Sequence, residues 1–429
     1  MTESTPPARP TRPSLFLFLD LPYGAAVGYA SIAMPYLLRR GGLSLAEIGA
    51  LSATAFAPLG LKLLWVPLLD LGASRKGWYL AMAAGTAGLL LAASLVPDPV
   101  HHLWLYGALV TLAQATATTG HAANNALLAI TTRLEDKGKA AGFSMASNLG
   151  GTGLLGALAL GASERVSPRA AGLALAAVVL ASGAVALGIV EPARFGAGAA
   201  AAVGLLRAIG RQLREMARDL WGTVRSREGF TGLVISAAPV GLGALTNIFS
   251  GMAPDFHASA RVVELVNGVG GGVTGAAGAL VGGWLADRMR RRLAYGVAGG
   301  LTGLCAVAML VSPLTPATYT WGTLAYSFAN GVAFATWAGM VLEVVGHGAA
   351  TATKYALFNA AANLAISGAT WADGAFAEAS PWRVLRGSRG ALAMDAALTV
   401  VGIAILLAMV AAASRPRGRA MGSSPATTS

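Results

Sequence analysis

The run KAAGFSMASNL, Lys139 to Leu149, returns 215 residues later as KYALFNAAANL, Lys354 to Leu364. The opening Lys, Ala141/Ala356, Phe143/Phe358, Ala146/Ala361, Asn148/Asn363 and Leu149/Leu364 coincide. A displacement of 217 lays Asp70 on Asp287 and Pro22-x-Gly24 on Pro239-x-Gly241. A displacement of 216 lays Arg75-Lys76 on Arg291-Arg292 and Tyr79 on Tyr295. Composition alone does not produce matches at several places near one displacement. The chain therefore reads as two homologous halves, both strongly apolar, and duplicated membrane bundles are the natural form of such a repeat.

Composition agrees with that form. Hydrophobic residues make up 55% of the 429 and charged residues 12%, against roughly 25% charge in soluble domains. Span length separates a membrane bundle from a large soluble core, because a bilayer crossing takes about 20 apolar residues. Apolar stretches of that size fall near 15–38, 45–64, 78–96, 103–130, 140–160 and 170–190, then near 230–252, 262–285, 293–311, 318–341, 355–376 and 391–413. The expected fold is an all-α membrane protein of twelve transmembrane helices in two six-helix halves. The halves cover 15–190 and 230–413, with a tail at 1–14, a linker at 191–229 and a disordered tail at 414–429. A closed barrel is excluded, since no ten-residue alternation of polar and apolar residues is present.

Basic residues set the orientation. With the N-terminus inside, the cytoplasmic segments carry 22 of the 31 Lys and Arg, and the outer loops carry eight: Arg39, Arg40, Arg165, Arg169, Arg261, Arg383, Arg386 and Arg389. The remaining one, Lys62, lies within a span. Both termini are expected in the cytoplasm, across an inner membrane. The net charge of +12 is then a topology signal. A nucleic-acid partner would need that charge on one folded face, and it is scattered over short loops. The first span is too long for a cleaved signal peptide and lacks a small-residue cleavage site after it. The single Cys305 forbids an intrachain disulfide. Within the linker, Leu206, Ile209, Leu213, Met216 and Leu220 recur at helical spacing opposite Arg207, Arg211, Arg214 and Arg218, which predicts an amphipathic helix on the inner membrane surface.

Polar side chains in a bundle avoid lipid and face the interior. Thr111, Gln114, Thr118, His121 and Asn125 in the fourth span follow spacings of 3, 4, 3 and 4, which confines them to one helix face. Asn124 stands beside them. This stripe is expected to line a solute path, or else to serve interhelical hydrogen bonds. Its counterpart in the tenth span is Thr323, Tyr326, Asn330, Phe334 and Trp337, a mixture of amide and aromatic groups suited to a solute with polar and apolar faces. Asp20 breaks the repeat, because Ala237 takes its place in the second half. Asp20 and His121 are the proton-carrying candidates, the latter because imidazole titrates near cellular pH. Glu343, Asp373 and Asp395 lie near predicted span ends and read as solvated rim residues.

Two glycine patterns, Gly151-x-Gly153-x-x-Gly156 and Gly270-x-Gly272-x-x-Gly275, match a dinucleotide fingerprint. Neither follows a strand, so the context fails. They read instead as small residues that let the fifth and eighth spans approach. No metal, cofactor or catalytic motif is found, and an enzyme is not expected.

Paired loops of Asp and basic residues after the second and eighth spans resemble those of the major facilitator superfamily. The loop GGWLADRMRRR, Gly282 to Arg292, is similar to its loop motif, with Asp287 and Arg288 in place and Asp70, Arg75 and Lys76 as the first-half copy. The resemblance implies that these residues, with Lys62, Arg291 and Arg292, latch the cytoplasmic side. Leu21-Pro22-x-Gly24 and the run LKLLWVPLLD, Leu61 to Asp70, are similar to AmpG-type muropeptide permeases, acetyl-CoA transporters and siderophore importers. Those relatives place a Gln-Asp-Ile-x-x-Asp run in the fourth span. This chain has Gly120-His121-Ala122-Ala123-Asn124-Asn125 there, with both acids gone.

The expected function is a secondary transporter of the inner membrane, proton-coupled and importing a polar organic solute, muropeptide-like or siderophore-like. Its expected lining is Asp20, Gln114, Thr118, His121, Asn124, Asn125, Asn247, Tyr326, Asn330 and Trp337. The expected partners are that solute, protons and the bilayer, the working unit being a monomer. Export of a metabolite or drug, or a non-transporting assembly scaffold, are the alternatives.

Overall fold

Helix starts follow from serines placed one residue ahead of apolar runs. Ser44 Oγ accepts from Glu47 N, while Glu47 Oε2 accepts from Ser44 N at 2.9 Å, so two otherwise free N–H groups are satisfied by one capping box. Ser74, Ser167, Ser226 and Ser259 cap four further helices through their hydroxyls. In lipid this accounting is strict, since an unpaired backbone group has no water to turn to.

The computed structural model describes residues 10–66, 69, 74–191, 210–211, 214–215, 217–218, 221–345 and 351–414. All regular structure among them is helical. The elements are α1 (Pro13–Arg40), α2 (Leu45–Leu64), α3 (Arg75–Leu95), α4 (Leu103–Thr131), α5 (Lys137–Arg165) and α6 (Pro168–Gly188), then α7 (Arg227–Ala237), α8 (Ala260–Arg288), α9 (Arg291–Val311), α10 (Pro316–Val345), α11 (Thr351–Ala379) and α12 (Ser388–Ser414). The apolar stripe expected of the linker helix, the tail from 415 and Asp70 lie outside the described residues.

Eight of these, α1, α2, α3, α5, α6, α8, α9 and α12, are long and apolar enough to cross a membrane. Helices α4, α10 and α11 have the length, 29, 30 and 29 residues. The stretch 230–252, expected as one continuous span, is broken: α7 ends at Ala237, and short turns at Ala244–Asn247, Phe249–Met252 and Ala253–Phe256 follow. The cause is local. Ala238 precedes Pro239 and is pushed to ψ 135, because a residue before proline avoids the helical region. Gly241 and Gly243 then adopt φ of 59° and 72°, where a side chain is strained. The repeat partner Pro22 sits in the first turn after a milder break at Asp20.

Packing repeats between the two sets of six helices. Helix α3 lies against α4 and α6, as α9 lies against α10 and α12. The two sets join along α2–α11 and α5–α8. At both seams backbones touch through glycine. A Cβ on Gly153 would collide with the Gly268 carbonyl, and one on Gly49 would stand 2.9 Å from Gly374 Cα. The glycine pattern of α5 divides its work: Gly151 and Gly156 face α1 at Gly24 and Gly28, and Gly153 alone faces α8. On α8, Gly275, Gly278 and Gly282 lie on α10 carbonyls.

Gly153→Leu is expected to force α5 and α8 apart and destabilise the protein by about 1–3 kcal/mol, the usual cost of overpacking. Gly150, one turn away, has open space around it, so Gly150→Ala should not lower stability. Thermal unfolding in detergent checks the pair.

Candidate functional site

Asp20 is 0% exposed. Its carboxylate receives His121 Nδ1 at 2.7 Å and the hydroxyl of Ser144. Three helices therefore meet on one acid: α1 supplies Asp20, α4 His121 and α5 Ser144. Tyr23, one turn along α1, stacks on the imidazole at 4.6 Å. The other ring nitrogen, His121 Nε2, faces Asn125 Nδ2 at 3.1 Å. With the amide so placed, Asn125 donates, Nε2 accepts, and the imidazole is neutral with its proton on Nδ1. Rotating the amide would present its oxygen and suit the imidazolium instead. His121 is 21% exposed and Asn125 is exposed, so the arrangement runs from an amide that protein does not cover, through an imidazole, to a buried acid. The sequence named Asp20, His121 and Asn125 separately, and the structure joins them. It also adds Tyr23, one helical turn from Asp20, and Ser144, which lies within the repeated run Lys139 to Leu149.

The rest of the α4 stripe behaves differently. Gln114, Thr118 and Asn124 are buried, and none of their side-chain polar atoms has a hydrogen-bond partner within the protein. Thr111 Oγ1 shares that condition. Buried polar groups without partners are rare and ask for a water, an ion or a function. The unpartnered polar atoms run along α4 from Thr111 to Asn124, which lies next to the exposed Asn125.

In the second set of helices the expected residues separate into three places. Asn247, in the broken segment after α7, donates to Thr370 Oγ1 of α11 at 3.1 Å. Tyr326 is fully buried and turns away from the amides, its hydroxyl donating to both oxygens of Asp395 on α12 at 3.0 and 3.1 Å. Asn330 and Trp337 line one cavity with Tyr295, Phe334, Asn359 and Asn363. Asn359 and Asn363 were missed, although Asn363 belongs to the repeated run. Asn363 Nδ2 donates to Asn359 Oδ1 at 3.0 Å, and Gly243 leaves room for the Asn330 amide. The result is three amides facing three aromatic rings. Its volume of about 60 Å³ holds water but not an organic solute, whose sites run to ≈ 300–1,000 Å³.

The rim reading of two acids does not hold. Asp373 is 0% exposed and Asp395 4%. Their helices are longer than the predicted spans, extending to Ala379 and starting at Ser388, which draws both acids inside. Glu343 is exposed, 3.9 Å from Arg291.

Charge pairs link the two sets of helices at the end of the bundle where α1 and α5 finish. Arg39 Nη2 donates to Asp255 Oδ1 at 2.9 Å and Arg165 Nη2 to Glu264 Oε2 at 2.6 Å. Asp255 also accepts Ser388 N at 3.0 Å, placing its charge at the N-terminus of α12, where it is favoured. The residues expected to latch the opposite end meet partners within their own six helices. The backbone N–H groups of Arg75 and Lys76 each donate to the Glu191 carboxylate at 3.0 Å, and Lys76 Nζ to Ile189 O at 3.0 Å. Arg291 Nη1 donates to Gly339 O at 3.3 Å, and Arg288 lies over Trp284 at 4.3 Å. Asp287 is exposed, and Lys62 and Arg292 are half-buried.

The fold is similar to solved transporters. A D-xylose–proton symporter superposes with a TM-score of 0.69 at 14% identity, over 92% of this chain and 95% of that one. A bacterial homolog of the human lysosomal transporter Spinster, inward-facing and occupied, gives 0.67 at 13% identity, over 93% and 96%. The nucleoside transporter NupG gives 0.64 at 13% identity, over 92% and 98%. At these identities the likeness is one of fold. Residues 16–370 match the Major Facilitator Superfamily, and the chain belongs to that family of multi-pass membrane transporters.

Proposed function

We propose that this protein imports a polar organic solute across the cytoplasmic membrane by alternating access, coupled to protons through Asp20 and His121. The observation that carries the reading is the assembled Asp20–His121–Asn125 line, with one end exposed and the other buried. A proton arriving at His121 Nε2 makes the imidazolium, and the Nδ1 proton can pass to Asp20. The net charge of the pair rises from −1 to 0. A neutral pair costs far less to hold away from water than a lone carboxylate, so proton binding biases the bundle toward the state in which this site is closed.

Twelve membrane crossings with both termini inside are part of the proposal, the broken segment after α7 included. In that orientation the Arg39–Asp255 and Arg165–Glu264 pairs close the outer face. The repeat-related Asp and basic loops then work at the inner face. A monomer suffices, because both sets of helices lie in one chain. Discontinuous helices near the midplane are a recurrent place for solute and ion sites, and the broken α7 segment stands beside Asn330. Amides opposite aromatic rings suit a solute with hydroxyl or peptide edges and flat apolar faces. Sugar–peptide conjugates of the muropeptide kind have both. The sugar and nucleoside named for two of the solved transporters share the hydroxyl part of that description. Gln114, Thr118, Asn124 and Asn247 would complete the lining once the cavity opens.

Uptake into proteoliposomes tests this with anhydro-muropeptides, ferric siderophores, D-xylose and a nucleoside, each with and without an imposed pH gradient. Accumulation of one solute only with the gradient is expected; no uptake of any by correctly inserted protein would favour an exporter or a scaffold. Asp20→Asn and His121→Ala should both abolish gradient-driven accumulation of that solute while leaving insertion intact. Wild-type accumulation in either would remove that residue from the coupling.

Topology has its own check. In a Cys305→Ser background, cysteines at Pro99 and Ser167 should react with an impermeant external reagent, and those at Ser74 and Lys137 should not. The reverse pattern would invert the orientation. Removing both outer ion pairs with Asp255→Asn and Glu264→Gln should raise external labelling of the closed face. Exposed pairs contribute only about 0.2–1 kcal/mol, so a few-fold shift in population is the size expected.

A further inference from the structure

Asp373 on α11 carries a charge-bearing group with nothing to hold it. Neither of its oxygens has a hydrogen-bond partner, and the residue is 0% exposed. Asp395 on α12 lies within electrostatic reach of it. Asp395 takes the Tyr326 hydroxyl on both oxygens, and Tyr326 is itself fully buried.

Among the described residues, no cation of the neighbouring elements forms an ion pair with either acid. From α10 come Tyr326 and, higher up, Tyr319, which is bonded to Phe249 O and Asn267. Helix α2 approaches α11 through Gly49; its Glu47 is spent on the Ser44 cap and its Lys62 stands at the far end. The broken segment brings Asp255, which is bonded to Arg39 and Ser388. On α12 itself Arg389 precedes Asp395 by six residues, about 9 Å along the axis. On α11, Glu378 lies five residues beyond Asp373. Among the described residues, neither carboxylate is in a salt bridge.

Helices α11 and α12 pack together, and two buried carboxylates without a cation, close enough to feel each other, cannot both be ionised in a medium of low dielectric. We infer that Asp373 and Asp395, with Tyr326, form a second proton-binding site, which holds one proton between the two acids and releases it when the broken segment after α7 moves against α11. The step balances simply: one O–H bond on a carboxyl forms on uptake and breaks on release, with water as donor and acceptor. Among the described residues no group of three or more His, Cys, Asp or Glu side chains is placed to hold a metal ion.

The link to movement is on the same faces. Thr370, one turn before Asp373, accepts from Asn247 and donates to Ala244 O at 3.2 Å, both in the broken segment. Phe249 of that segment meets the Tyr326 ring edge-on at 5.1 Å. Any shift of the segment therefore changes the surroundings of both acids together. This site goes beyond the coupling assigned to Asp20 and His121, and its existence does not depend on it.

The test is infrared difference spectroscopy of the full chain in lipid nanodiscs, with no solute, in an Asp20→Asn background so that Asp20 cannot contribute. One protonated-carboxyl band per chain is expected at pH 7, shifting in heavy water. Asp373→Asn and Asp395→Asn should each remove or displace it. Absence of the band in the parent, or its persistence unchanged in both variants, would overturn the inference. Loss of the band on adding sodium at constant pH would also overturn it, in favour of a cation site. The parent measurement alone decides whether a proton is held, so a variant that fails to fold does not leave the matter open. Failure of solute uptake would leave this band untouched, so the two proposals fail separately.

Discussion

Close backbone contact between the two sets of six helices is the constraint on which the rest depends. Lipid tails offer no hydrophobic drive for one helix to seek another. What remains is packing, and packing is strongest where side chains are absent. Gly153 against Gly268 and Gly49 against Gly374 bring four helices to backbone contact at two seams. Side chains also cross these seams, Leu364 of α11 packing over Gly60 of α2 and Ala157 of α5 over Gly268 of α8. The seams hold the two sets together, and the ion pairs at one end join them further.

The same packing decides what each buried polar group must do. Once α1, α4 and α5 are held close, Asp20 has to find partners within the bundle, and it does so in His121 and Ser144. Asn330 finds room only because Gly243 lacks a side chain. Gln114 and Asn124 find no partner within the protein. Polar groups in a membrane protein are costly in every state.

Much of this was legible in the residues and some was not. The repeat and the apolar runs foretold the helices, because span length and periodicity are local properties. The stripe of α4 pointed to His121 and Asn125 for the same reason. The break after Ala237 was written in Pro239, Gly241 and Gly243, yet the apolar count across 230–252 outweighed those signals. The burial of Asp373 and Asp395 was out of reach. Distance from a predicted span end decided their placement, and the helices run several residues past those ends. That acids on α11 and α12 both turn into the protein is a fact of helix rotation, which no single helix encodes.

The repeat itself explains why the polar chemistry falls where it does. Asp20 has Ala237 as its counterpart. Displaced back by 215, Asp373 falls on Leu158 and Asp395 on Leu180, and a displacement of 216 puts Asp395 on Val179. Each set of helices thus carries acids where the other carries apolar side chains. Duplication supplied two copies of one bundle, but a pair of identical acid sites would titrate together and could not distinguish the two sides of the membrane. The first bundle holds an acid beside a partly exposed base, and the second holds two acids that are both buried. In the coupling proposed above, the first site takes up its proton through His121 and the second exchanges only on movement, so that the two act in order, which a symmetric pair could not do.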